Sequence, residues 1–120
     1  MSTSTINTIT ALAGKLTTDL NLGNTSQNNV TGTSGTLYMV TIDNSANTAV
    51  VYLKLVDAGT GGANTEPNWQ FKVPASTKLS FVMPEGSIFS TGLSMWCVTG
   101  AVTSDNTAPG SDVVVNVLTS

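Results

Sequence analysis

Trp69-Gln70-Phe71-Lys72-Val73-Pro74-Ala75-Ser76-Thr77-Lys78-Leu79-Ser80-Phe81-Val82-Met83 is the stretch that decides the fold. Trp69, Phe71 and Val73 share one side of an extended segment and Gln70 and Lys72 the other. Beyond Pro74, Leu79, Phe81 and Met83 alternate in the same way with Lys78, Ser80 and Val82. A period of two puts every second side chain on one face of a sheet. Proline offers no N–H to a ladder, so Pro74 ends the first segment. The pattern predicts a β-hairpin turning at Pro74 to Thr77 with one face in a core. Each large apolar side chain on that face contributes roughly 1.5–3 kcal/mol when removed from water. Two strands cannot cover their own apolar face, so a second sheet is expected above it.

The same periodicity extends in both directions. Upstream, Tyr38, Val40 and Ile42 alternate with Leu37, Met39 and Thr41; Asp43 to Asn47 supplies turn residues, and Thr48 to Val56 runs back, predicting a second hairpin. Its return segment Val50 to Val56 is apolar on both faces except at Lys54, as expected of a central, covered strand. Asp57 to Asn68, with Gly59, Gly61, Gly62 and Pro67, reads as a crossing between sheets. Downstream, Pro84-Glu85-Gly86 fits a tight turn, Ser87 to Ser90 a short strand, and Leu93 to Val98 a further strand with Leu93, Met95 and Cys97 opposite Ser94, Trp96 and Val98. Thr99 to Ser111 is a polar loop, and Val113, Val115 and Val117 open a terminal strand backed by Val114, Asn116 and Leu118. Seven or eight antiparallel strands at this spacing predict a single-domain, all-β sandwich of Greek-key or jelly-roll type spanning residues 17–120.

Residues 1–16 differ. Ile6, Ile9, Leu12 and Leu16 recur at three, three and four, a helix-like stripe on a threonine-rich background broken by Gly14. This reads as an N-terminal arm whose apolar residues lie on the chain's own sandwich or on a neighbouring subunit. Removing it is expected to leave the sandwich folded. A short strand at Leu16 to Leu20 and a turn-rich loop at Asn21 to Asn29 follow.

The chain has 120 residues, no histidine, four lysines and no arginine against seven acids, and a net charge of −3. That length buries a core without metals or disulfides. Four scattered lysines do not make a phosphate-binding surface, so nucleic acid is not an expected partner. Threonine, serine and asparagine supply the polarity, and they suit pleated surfaces and turns. The single Cys97 lies in an apolar run and reads as a buried thiol. The first residues lack the basic and apolar regions of an export signal, and no apolar run approaches a membrane span. The chain is therefore expected to stay in a cytosol unless it leaves within an assembly.

Without histidine, the familiar hydrolytic triads and most zinc sites are excluded. Asp19, Asp43, Asp57, Glu66, Glu85, Asp105 and Asp112 stand more than six positions apart, mostly in turns, and predict no catalytic pair. Asp105, Asn106 and Asp112 lie in a loop that lacks the dense alternation of calcium loops, and the glycines of 57–68 lack the lysine and helix of a phosphate loop. No enzyme activity and no cofactor are expected. Val50, Tyr52, Trp96, Val114 and Leu118 fall on faces that a two-layer sandwich leaves wet, and two sets of alternating residues cannot share one core. Together with Ile6, Ile9, Leu12 and Leu16 they are the expected interface residues of a homo-oligomer, a dimer or trimer.

The chain resembles a group of small all-β structural proteins of tailed bacteriophages, especially those of cyanobacteria. The likeness runs through Asp19-Leu20-Asn21-Leu22-Gly23-Asn24, Gly35-Thr36-Leu37-Tyr38, Asp43-Asn44-Ser45-Ala46-Asn47, Tyr52-Leu53-Lys54-Leu55, Val73-Pro74-Ala75, Pro84-Glu85-Gly86, Phe89-Ser90-Thr91-Gly92-Leu93-Ser94 and Val113-Val114-Val115-Asn116. It covers nearly everything from residue 17 onward and leaves the first sixteen residues outside. The resemblance implies a virion protein of capsid decoration, or cement, type: a β-sandwich bound to the major capsid protein, assembled in the host cytoplasm and joining capsomers at their junctions. A tail-fibre or baseplate domain that adheres to the host surface is the alternative, and a carbohydrate-active enzyme a distant third. The resemblance brings no catalytic residue and implies no membrane partner.

Overall fold

All regular structure is β in the computed structural model, which describes residues 6–11 and 14–120, with the backbone alone for 7–11. The described residues form eight strands: β1 (Ile6–Ala11), β2 (Gly14–Asp19), β3 (Gly35–Asp43), β4 (Val51–Asp57), β5 (Trp69–Val73), β6 (Lys78–Phe89), β7 (Leu93–Val98) and β8 (Val114–Thr119). One sheet has the order β1-β2-β8-β3-β6 and the other β5-β4-β7, all neighbours antiparallel. The open side of β7 is taken by the segment before β3. Gln27 N–H donates to Met95 O at 2.8 Å, Met95 N–H to Gln27 O at 3.0 Å, and Cys97 N–H to Gly23 O at 2.8 Å. The pairs are thus nested: β4 with β5, β3 with β6, the Gly23-to-Val30 segment with β7, β2 with β8. A nested ribbon wrapped into two layers is a jelly roll. This meets the expectation of an all-β sandwich and selects between the two topologies it allowed.

The faces follow the alternation. Leu37, Val40, Ile42, Leu53, Leu55, Val73, Met95, Val115 and Val117 are fully buried between the sheets, with Trp69, Phe71, Leu79, Phe81 and Met83 packed against them. As expected, β4 is the central strand of its sheet.

The pairings do not follow it. The stretch 69–83 is not a hairpin: β5 and β6 belong to opposite sheets, and Pro74 to Thr77 is an arch between them. Phe71 and Phe81 meet inside the sandwich with ring centroids 4.9 Å apart at 39°, and Trp69 Nε1–H donates across to Ser87 Oγ at 3.1 Å. The second expected hairpin is likewise an arch, because β3 and β4 lie in different sheets. Conversely, 57–68 does not cross between sheets; it closes the β4–β5 hairpin, in which Leu55 stands opposite Trp69. The two arches are bonded to each other: Asn44 N–H donates to Thr77 O at 2.9 Å and Ser76 N–H to Asn47 O at 2.9 Å, with Ser76 at φ +56°. Asn44, fully buried, donates through Nδ2 to Ala49 O, Val73 O and Pro74 O at 3.0, 3.3 and 3.0 Å and accepts from Asn47 Nδ2 at 2.9 Å. Side-chain amides therefore satisfy the backbone groups that the arches leave without ladder partners.

Two further corrections concern β3 and β6. Leu37 pairs with Ser87 and Met39 with Val82, so four residues of β6 oppose one of β3. Pro84-Glu85-Gly86 is consequently a bulge inside one long strand, and no separate strand begins at Ser87. The bulge reverses the facing of Tyr38, which is exposed while Leu37 and Val40 are buried.

The helix-like stripe of the arm is overturned as well. β1 and β2 pair from Ile6↔Asp19 to Ala11↔Gly14, and β2 pairs onward with β8. The boundary at residue 16 falls within β2, so removing residues 1–16 would cut a strand of the sheet. Threonine-rich sequence favours the pleated surface over the helix, and the stripe's spacing is overridden.

Candidate functional site

The outer face of the five-stranded sheet is built by register. Ile9 stands opposite Leu16, Leu16 opposite Leu118, Leu118 opposite Met39, and Met39 opposite Val82. One apolar residue from each strand thus forms a continuous row across the sheet. Leu16, Met39 and Leu118 are half-buried by their neighbours, and Val82 is 64% exposed. The next row, Asn7, Thr18, Asn116, Thr41 and Ser80, is polar throughout. It is tied laterally: Thr18 Oγ1–H donates to Asn116 Oδ1 at 2.7 Å, and the Thr41 and Ser80 hydroxyls lie 3.0 Å apart. Beyond it Val114 faces Asp43, which faces Lys78. Hydrogen bonds from the Ser45 side chain and amide hold the Asp43 carboxyl below its ordinary value, and Lys78 adds to them. On the other side of the apolar row lie Tyr38, Ile88, which is 81% exposed, and an open depression of about 530 Å³ lined by Val82 to Gly86.

The outer face of the other sheet is closed by the chain's own loops. Trp96, Val56 and Val98 form a second small core with Ala58. A Cβ on Gly61 would lie 2.6 Å from Trp96 Cζ3, so the glycine lets the 58–68 loop lie directly on the indole. The 99–107 loop completes the cover: Asn64 N–H donates to Thr103 O at 3.0 Å and Thr103 Oγ1–H to Glu66 Oε2 at 2.7 Å. Lys54, buried beneath it, donates through Nζ to Val102 O at 2.8 Å. Desolvation lowers its pKa, with Asp105 and Glu66 pulling the other way.

The expected interface residues are therefore divided. Leu16, Leu118 and Val114 share the outer face of the five-stranded sheet, with Ile9 on the same row by register. Ile6 is half-buried against the main core, and Trp96 is fully buried under loops and is not a surface residue. Tyr52 is half-buried on the opposite sheet, Val50 is half-buried in the arch before β4, and Leu12 lies outside the described residues. Met39, Val82, Tyr38 and Ile88 belong to the same surface as Leu16 and Leu118 and escaped the sequence reading. Alternation had already placed Met39 and Val82 opposite the core residues; only the register shows that they adjoin Leu118.

The acids serve the loops. Asp57 accepts from the amides of Ser90 and Thr91 at 2.8 Å each and of Gly92 at 3.3 Å. Asp105 accepts from Gly100 and Thr107 amides and the Thr107 hydroxyl. Among the described residues no three His, Cys, Asp or Glu side chains gather as metal ligands, and no helix is long and apolar enough to cross a membrane. Burial pushes the Cys97 thiol up to about 12. Comparison with protein-family models, curated proteins and solved structures finds no match.

Proposed function

We propose that the chain is a virion structural protein of capsid decoration type, which lays the outer face of its five-stranded sheet on the major capsid protein and stabilises capsomer junctions as a homo-oligomer. The observation that supports this reading is the apolar row from Ile9 to Val82, which spans all five strands beside a polar row. Exposed apolar rows of this extent mark interaction surfaces. A flat face held by a jelly roll, with its loops fastened by side-chain hydrogen bonds, suits passive attachment to a large surface. The likeness to phage structural proteins supplies the identity of that surface.

The test is an averaged electron-microscopy map of the particle whose genome encodes the chain. The expected result is many copies of a 12.3 kDa sandwich on the head, sheet face inward. Copies confined to the tail would replace this reading with the fibre or baseplate alternative, and absence from the particle would overturn both.

A further inference from the structure

Among the described residues the two sheets have four edges, and three of them are protected against pairing with another chain. β6 carries Lys78, Pro84 and the four-residue bulge with Gly86 at φ +77°. β5 has five residues, exposes Lys72 and is followed at once by Pro74. β7 is bonded along its open side by the Gly23-to-Val30 segment. Short length, charge, proline, bulges and cover are the devices by which proteins keep sheet edges from joining. Among the described residues the fourth edge, β1, has none of them: Ile6-Asn7-Thr8-Ile9-Thr10-Ala11 is uncharged, free of proline and regular in its pairing with β2.

We infer that β1 pairs antiparallel with β1 of a second copy of this chain about a two-fold axis at Ile9, joining two five-stranded sheets into one of ten strands. The unpaired backbone groups of an edge strand are satisfied by another extended strand. An identical strand fits because β1 carries no charge to meet its own copy across the axis, whereas β5 and β6 each carry a lysine. The faces fix the register. Pairing Ile9 with Ile9, Thr8 with Thr10 and Asn7 with Ala11 keeps outer face with outer face, and a one-residue slip would not. It also carries the apolar row on across the axis, from Val82 of one copy to Val82 of the other. This deepens the homo-oligomer of the virion reading by naming the edge that pairs, and it does not depend on where the chain sits on a particle.

The test uses the full chain in solution at tens of micromolar. Light scattering should give twice the 12.3 kDa chain mass, and Ile9→Lys, which sets two like charges against each other on the axis, should give a monomer with unchanged far-ultraviolet circular dichroism. Under mild oxidation Ile9→Cys should form an interchain disulfide, because its partner is directly opposite. Ala11→Cys should not, because its copy lies several residues away; buried Cys97 provides the silent background. A monomeric parent, a dimer that survives Ile9→Lys, or equal cross-linking at positions 9 and 11 would each overturn the inference, whatever the particle map shows.

Discussion

Asn44 fastens the two arches to each other. Its side-chain amide is fully buried and donates to three backbone carbonyls belonging to both arches. Leaving buried acceptors without donors costs about 1–3 kcal/mol each, partly offset by relaxation. Asn44→Ala is expected to lose about 3 kcal/mol, read as a lowered urea midpoint with unchanged slope. Asp57 gives the corresponding pH signature. Partial burial raises its carboxyl, but the amides of Ser90, Thr91 and Gly92 and the Ser90 hydroxyl outweigh that, and the pKa lies below 3.8. The folded chain therefore binds this proton more weakly than the unfolded chain does. The stabilisation is complete above the unfolded value and is lost as pH falls through the folded one. Urea midpoints of the parent and Asp57→Asn should differ by a constant amount near neutrality and converge below about pH 3.8.

At the scale of strands, the sequence made the faces legible and hid the partners. Trp69, Phe71, Val73, Leu79, Phe81 and Met83 all point into the interior as their alternation requires. Whether two such segments pair side by side or face each other across a core does not alter the period. The decision rests on turn-to-turn bonds such as Asn44 N–H to Thr77 O, made between residues more than thirty apart. For the same reason alternation set Met39 and Val82 opposite the core residues without showing that they adjoin Leu16 and Leu118. Only β8, lying between β2 and β3, brings them together. Tyr38 was misplaced because one bulge inverts the alternation, and a bulge has no signature in hydropathy. Gly86 is the residue that permits it, with φ +77° and no room for a Cβ against the Thr36 side chain. Gly86→Ala should cost at least ~1–3 kcal/mol in backbone strain alone. In thermal unfolding it should lower the midpoint markedly, whereas Gly59→Ala, with open space around it, should change it little.

For the molecule as a whole, the scarcity of charge has a structural counterpart. Asparagine and threonine side chains fasten the loops by bonding directly to backbone, as at Asn47 with Ser111 and Thr31 with Leu93. This leaves the outer face of the five-stranded sheet with few fixed charges to desolvate when a partner covers it. The central place of β8 has a consequence in time. β2, near the beginning of the sequence, bonds on one side to β1 and on the other to β8, so a nascent chain that has not yet been extended through Thr119 offers the β1–β2 ribbon no sheet to join. β3 likewise lacks one of its two flanks until then. The sheet that carries the apolar row cannot close until the ribosome has delivered the strand that joins its two halves.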